Sequence, residues 1–94
     1  MKKIIPQFKK TKSERLVSIS YLKEEEGVFI YYHFANKTPK FREIKIEIGN
    51  EKEVESIISI HPNAAILEGE VTEMYGIKFP GNPYSGKRIF LEEK

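Results

Sequence analysis

The sequence predicts an α+β domain, a small antiparallel β-meander of three to four strands with two short helices packed on one face. Two observations carry this expectation. Apolar residues alternate in three successive runs separated by short polar turns, and after Asn50 the apolar spacing changes from that of a strand to that of a helix. Strands joined by such short turns must run antiparallel, because a parallel crossover needs a dozen residues or more.

In the first run, Val17, Ile19 and Tyr21 alternate with Ser18 and Ser20, the period of a strand with one buried face; Lys23-Glu24-Glu25-Glu26-Gly27 then supplies a polar turn. Val28 to Phe34 follows as a second strand. Val28, Ile30, Tyr32 and Phe34 share one face and Phe29, Tyr31 and His33 the other, so this strand belongs at the centre of the sheet. Ala35 to Lys40 turns the chain, and Ile44, Ile46 and Ile48 alternate with charged residues in a third strand. Asn50 can cap a helix with Glu53 reaching back, and Val54, Ile57, Ile58 and His61 lie at the spacing of one helical face before Pro62 ends it. Asn63 is placed to cap a second helix, Ala64 to Tyr75, with Leu67, Val71 and Met74 on one face and Gly76 as the terminating residue. Arg88 to Leu91 reads as a last extended segment, either an edge strand or an arm lying on a partner.

With 94 residues the chain makes a single domain, residues 1–94. A chain of this size buries only about 60 to 65 per cent of its unfolded surface, so the core is thin. No run approaches the roughly 20 apolar residues of a membrane-spanning helix, and Met1 to Pro6 breaks too early for a secretory signal, which leads to the expectation of a soluble, cytoplasmic protein. Cysteine is absent, which excludes disulfides, thiolate-bound zinc and iron–sulfur clusters held by this chain alone. Any redox centre therefore belongs to a partner, and no cofactor is expected on this chain. The net charge of +2 is too small to argue for nucleic acid by itself, although the basic amino-terminal segment, residues 1–12, holds five lysines and no acid.

The run from Glu68 to Pro83, E-G-E-V-T-E-M-Y-G-I-K-F-P-G-N-P, combines a helix stop, a Pro/Gly turn and three carboxylates. Glu73 falls in the last helical turn, where the negative end of the helix dipole disfavours it by roughly 0.3 to 1 kcal/mol, so a cation is expected nearby. Together with K-R-I-F-L at Lys87 to Leu91, this run resembles the region E-R-E-x-x-D-M-F-G-I-x-F-x-G-H-P of the complex I 30 kDa subunit family, which includes the equivalent subunit of membrane-bound, energy-converting hydrogenases. Arg15 to Ile19, Phe29 to Phe34, Ile44 to Ile48 and Val54 to Ile58 fit upstream in the same order, so the resemblance covers residues 14–91. The sequence departs from the pattern at Gly69, Glu73, Tyr75 and Asn82, where the family has Arg, Asp, Phe and His. Its short length points toward the compact hydrogenase-type relatives.

The resemblance implies a non-catalytic structural subunit of a complex I-like, membrane-associated oxidoreductase, an NADH dehydrogenase or an energy-converting hydrogenase. Such a subunit binds no cofactor and docks on the large catalytic subunit and other peripheral-arm subunits, reaching the cytoplasmic membrane only through its complex. The positions implied for partner binding are Glu68, Glu70, Glu73, Tyr75, Gly76, Phe79, Gly81, Pro83 and Arg88.

Independent signs of chemistry are sparse. The only histidines, His33 and His61, lack metal-ligand spacing, and His33 reads as a hydrogen-bonded strand residue. His61, at a helix end before Pro62, is expected to favour the charged imidazole. Glu68 and Glu70 point to different sides of a helix and cannot form an acid/base pair; they are either solvated charges or, for Glu70, the mate of a cation on a partner subunit or of Lys87 or Arg88 in the carboxy-terminal arm. Gly69 marks either a close backbone approach or drift. The Phe79 to Tyr84 loop is either a stiff recognition element or a lid over the core. An alternative function, a small RNA- or single-strand-binding module, rests on Phe29, Tyr31 and His33 beside the lysine-rich amino terminus.

Overall fold

In the computed structural model, which describes residues 1–36 and 41–83 with Phe41 as backbone only, the three alternating runs become strands β1 (Arg15–Glu24), β2 (Gly27–Ala35) and β3 (Phe41–Glu47). They form one antiparallel sheet in the order β1-β2-β3, so the strand that is apolar on both faces is the central one. Ile30, Tyr32 and Phe34 point into the core and have no exposed surface. A register shift between Leu16 and Ser18 bulges β1 near its start, after which Ser18 to Glu24 pair regularly with β2. The remainder of the turn at residues 37–40 and the segment from Arg88 to Leu91 lie outside the described residues.

Two helices cover the core face. Helix α1 (Ala64–Tyr75) contributes Ala64, Glu68, Gly69 and Val71 to the interior. The other is a 3₁₀ helix, Ile5–Thr11, in the lysine-rich amino-terminal segment, where the sequence pattern carries no helical signal. Its Phe8 ring meets Tyr32 edge-on at 4.7 Å and Phe34 at 6.0 Å, which fixes it over the centre of β2. Pro6 suits its first turn, where a missing N–H leaves nothing unsatisfied.

The helix expected between Asn50 and His61 does not form. Residues 52–55 run extended between two other parts of the chain: Lys2 N–H donates to the Glu53 carbonyl and Glu55 N–H to that of Lys2 on one side, while Val54 N–H donates to the Lys78 carbonyl and Lys78 N–H to that of Lys52 on the other. Pairing on both sides satisfies the backbone that a helix would have satisfied internally, and Val54 and Ile57 still reach the core. A single helical turn survives where His61 N–H donates to the Ile57 carbonyl. Glu55 accepts hydrogen bonds from the N–H groups of Ile4 and Ile5 at 2.9 and 3.0 Å, so it caps the 3₁₀ helix from a distant point in the chain. Those donors, Ile5 first, hold its carboxyl below the ordinary value.

Candidate functional site

Helix α1 stops at Gly76 as the sequence predicts. Gly76 adopts φ 75° and ψ 11°, and its N–H donates to the Thr72 carbonyl. Nothing lies within 4 Å of the position a β-carbon would take there, so the demand for glycine comes from the backbone conformation alone. The other end differs from expectation. Asn63 occupies the cap position but makes no capping bond; its amide instead donates to the Leu16 carbonyl at 2.8 Å, tying the start of α1 to β1. The inward face is also displaced by about one residue: Glu68 and Val71 are buried, Leu67 is partly so, and Met74 is 71 % exposed.

Glu68 is the centre of a closed polar network. Its Oε1 accepts from the Ser56 hydroxyl at 2.7 Å and from the Asn82 amide at 2.9 Å, and its Oε2 accepts from Ile57 N–H at 2.9 Å. Asn82 donates also to the Ala65 carbonyl at 3.0 Å. One carboxylate thereby joins α1, the irregular segment at residues 56–57 and the Phe-Pro-Gly-Asn-Pro loop. Burial pushes its pKa above the ordinary value, and the donors, Ile57 first, pull it back in part. The neighbouring Phe79 ring is fully buried, so this part of the loop is a lid on the core.

The other positions implied for partner binding divide sharply from these two. Glu70, Glu73, Tyr75, Gly76, Gly81 and Pro83 are exposed. Glu68 and Phe79 have no surface to offer a partner in this conformation and act by holding the loop in place. Arg88 lies outside the described residues. Glu73 sits in the last turn of α1 with no basic residue there, and neither it nor Glu70 forms an ion pair among the described residues. Tyr75 stacks on Tyr21 of β1, with ring centroids 4.3 Å apart and planes 17° from parallel. Between them, residues 19–22 of β1 and Glu70, Val71 and Met74 of α1 line a groove of about 320 Å³.

The features that evoked nucleic acid do not meet. Phe8 and the lysine-rich helix lie on the core face with Tyr32 and Phe34, whereas Phe29, Tyr31 and His33 point to the opposite face. There the Lys45 ammonium lies 4.2 Å from the Phe29 ring centroid and 5.6 Å from that of Tyr31, and the Tyr31 hydroxyl donates to Glu24 at 2.8 Å. Phe29 and Tyr31 retain under a tenth of their surface, which leaves no open ring face for a base. His61 is not a charged helix-end residue either. Its Nε2 lies 2.7 Å from the Thr11 hydroxyl, which itself donates to the Phe8 carbonyl, so Nε2 carries the proton and donates. Burial lowers its pKa, and Glu14 opposes that in part. Among the described residues no three His, Cys, Asp or Glu side chains are grouped to hold a metal ion, and no helix is long and apolar enough to cross a membrane.

Residues 1–94 match the family described as respiratory-chain NADH dehydrogenase, 30 Kd subunit. The chain belongs to the complex I 30 kDa subunit family. It is 33 % identical over 69 residues to the C subunit of NADH-quinone oxidoreductase from Dinoroseobacter shibae, covering 72 % of this chain and 32 % of the relative. The corresponding figures are 32 % over 81 residues for the same subunit from Rhodopseudomonas palustris, with 83 % and 39 % covered, and 31 % over 71 residues for that from Moorella thermoacetica, with 72 % and 47 % covered. The chain thus spans about a third to just under half the length of these curated relatives.

For a member of the 30 kDa family, the residues that matter most to the site's shape are in part hidden in the sequence. Ser56 carries no signal, because it lies in a segment that reads as helical, and Glu55 is hidden for the same reason. Asn82 is visible only as a departure from the family's histidine; in the structure its amide supplies a donor to Glu68.

Proposed function

We propose that this 30 kDa-family chain is a non-catalytic docking subunit of a complex I-like oxidoreductase, gripping the large catalytic subunit with the outward side of α1 and the loop that follows. It sits on the cytoplasmic side, peripheral to the membrane through its complex. One observation carries the reading. A helix whose inner side is fully engaged by its own fold leaves Glu70, Glu73, Met74 and Tyr75 exposed together beside a groove lined by both polar and apolar residues, and a carboxylate in the last helical turn without a cation among the described residues brings a free monomer nothing. The stiff loop adds to it: Gly81 and Pro83 are presented on a turn anchored from beneath by Asn82 and Phe79, so little entropy is lost when a partner meets it. The relatives are named as NADH-quinone oxidoreductase subunits. Their names favour that branch of the class, whereas the hydrogenase form rests on length alone.

The test is native isolation. The tagged chain, expressed at its natural level and recovered from gently solubilised membranes, is expected in equal stoichiometry with a large dehydrogenase- or hydrogenase-like subunit, whose identity then fixes the branch. Recovery of the chain as a lone monomer from undisrupted membranes overturns the proposal.

A further inference from the structure

Among the described residues, β1 and β3 are the two edges of the sheet, and they are built differently. Along β3, Arg42, Glu43, Lys45 and Glu47 place charges at short intervals, which discourages a further strand from joining. Along β1 the run Leu16 to Leu22 carries no charge. Its first part is bulged, but Ser18 to Leu22 is regular and about 17 Å long, with no strand on its outer side among the described residues. Such an edge exposes backbone donors and acceptors as a template for pairing. Leu22 stands 48 % exposed there, and the groove under α1 opens directly against residues 19–22, bordered by Met74 and the stacked Tyr75.

Glu70 on the groove and Glu73 in the last turn decide what can occupy this edge. A second copy pairing β1 to β1 about a two-fold axis presents the same uncharged run, Leu16 to Leu22, and so brings no Lys or Arg within it to meet these carboxylates. An incoming strand with basic residues pairs with them instead and neutralises a charge that the helix dipole disfavours. We infer that the β1 edge from Ser18 to Leu22 is completed in the assembly by an extended segment of a partner subunit, with apolar residues entering the α1 groove and a Lys or Arg reaching Glu70 and Glu73. Main-chain pairing supplies the binding, and the groove and the two carboxylates select the sequence. The inference rests on the docking role proposed above and adds to it a second, strand-based contact.

Amide hydrogen exchange of the full chain, alone and within the natively isolated complex, tests it. The expected result is fast exchange of the outward-facing amides of residues 18–22 in the isolated chain and at least about tenfold slower exchange in the complex, with little change along the outer edge of β3. The double variant Glu70→Lys/Glu73→Lys is expected to lose that protection with its melting temperature retained, whereas Glu43→Lys/Glu47→Lys on β3 keeps it. A chain present in the complex with residues 18–22 exchanging as fast as when alone overturns this inference and leaves the docking role standing. Absence from any complex overturns both. Protection of residues 18–22 already present in the isolated monomer, or appearing only as the isolated chain dimerises at rising concentration, assigns the edge to the chain's own residues or to a second copy and overturns the partner strand.

Discussion

The inward side of α1 presents one carboxylate and the outward side two, and they meet opposite surroundings. Inward, Glu68 has no exposed surface, accepts hydrogen bonds from Ser56, Ile57 and Asn82, and has a pKa raised by burial. Outward, Glu70 lies in solvent at the groove, with Glu73 and Met74 in the following turn. The contrast separates two jobs that a single motif combines. The inner carboxylate organises this chain, binding helix to loop, and the outer residues are left over once the fold is complete. Burying a charge without a cation is tolerated only because three donors converge on it, and those donors come from segments that would otherwise be loosely held.

Removing the inner carboxylate is the severest way to disturb this division. Glu68→Ala strands three buried donors, and stability is expected to drop by about 3 kcal/mol, lowering the melting temperature by more than about 10 °C. A melting temperature within about 2 °C of the unaltered chain would show that the network does not hold the loop. Gly76→Val comes next. A β-branched residue at φ 75° is strained, although no neighbour obstructs it, so a loss on the order of 1 to 2 kcal/mol in denaturant unfolding is expected; an unchanged midpoint would mean that the helix ends elsewhere.

A smaller effect appears in the pH dependence, where the two buried groups pull in opposite directions. The native state raises the pKa of Glu68 above 4.5, so it holds that proton more tightly than the unfolded chain, and this contribution to stability falls as pH rises from 4.5 through the native value. For His61 the native pKa lies below 6.5; the unfolded chain takes up the proton first, and stability is lost as pH falls below 6.5 toward the native value. His61→Gln, which retains an N–H for Thr11, is expected to flatten that acid-side loss in a series of unfolding midpoints. An identical slope in the variant would place the acid sensitivity in another group. The smallest effect on stability belongs to the outer side: Glu70→Ala and Met74→Ala are expected to stay within about 0.5 kcal/mol of the unaltered chain. A larger loss would show that these residues serve the fold after all.

The sheet is legible in the sequence because its signal is local. Alternation in β1 and β3, and a β2 apolar on both faces, leave one arrangement open, and Gly76 marks the end of α1 by a conformation other residues avoid. The segment from Asn50 to His61 reads wrongly as a helix because Val54, Ile57, Ile58 and His61 have helical spacing, while what straightens the chain there is pairing with Lys2 and Lys78, residues remote in sequence. Glu68 is hidden for a related reason: hydrophobic patterning puts Leu67, Val71 and Met74 inside, and only the donors gathered by the fold make a glutamate preferable there. The E-x-E spacing reveals that its two glutamates diverge, and the structure adds which of them turns inward.

The division of labour on α1 is tested most directly by competition for the natural complex. Met74→Asp alters only an outward side chain, so the variant is expected to lose no more than about 1 kcal/mol of stability, the cost of a further negative charge at the helix carboxy terminus, yet to be displaced by the unaltered chain from the membrane-bound assembly by about tenfold or more when the two are expressed together. Equal incorporation of the two chains would contradict the account.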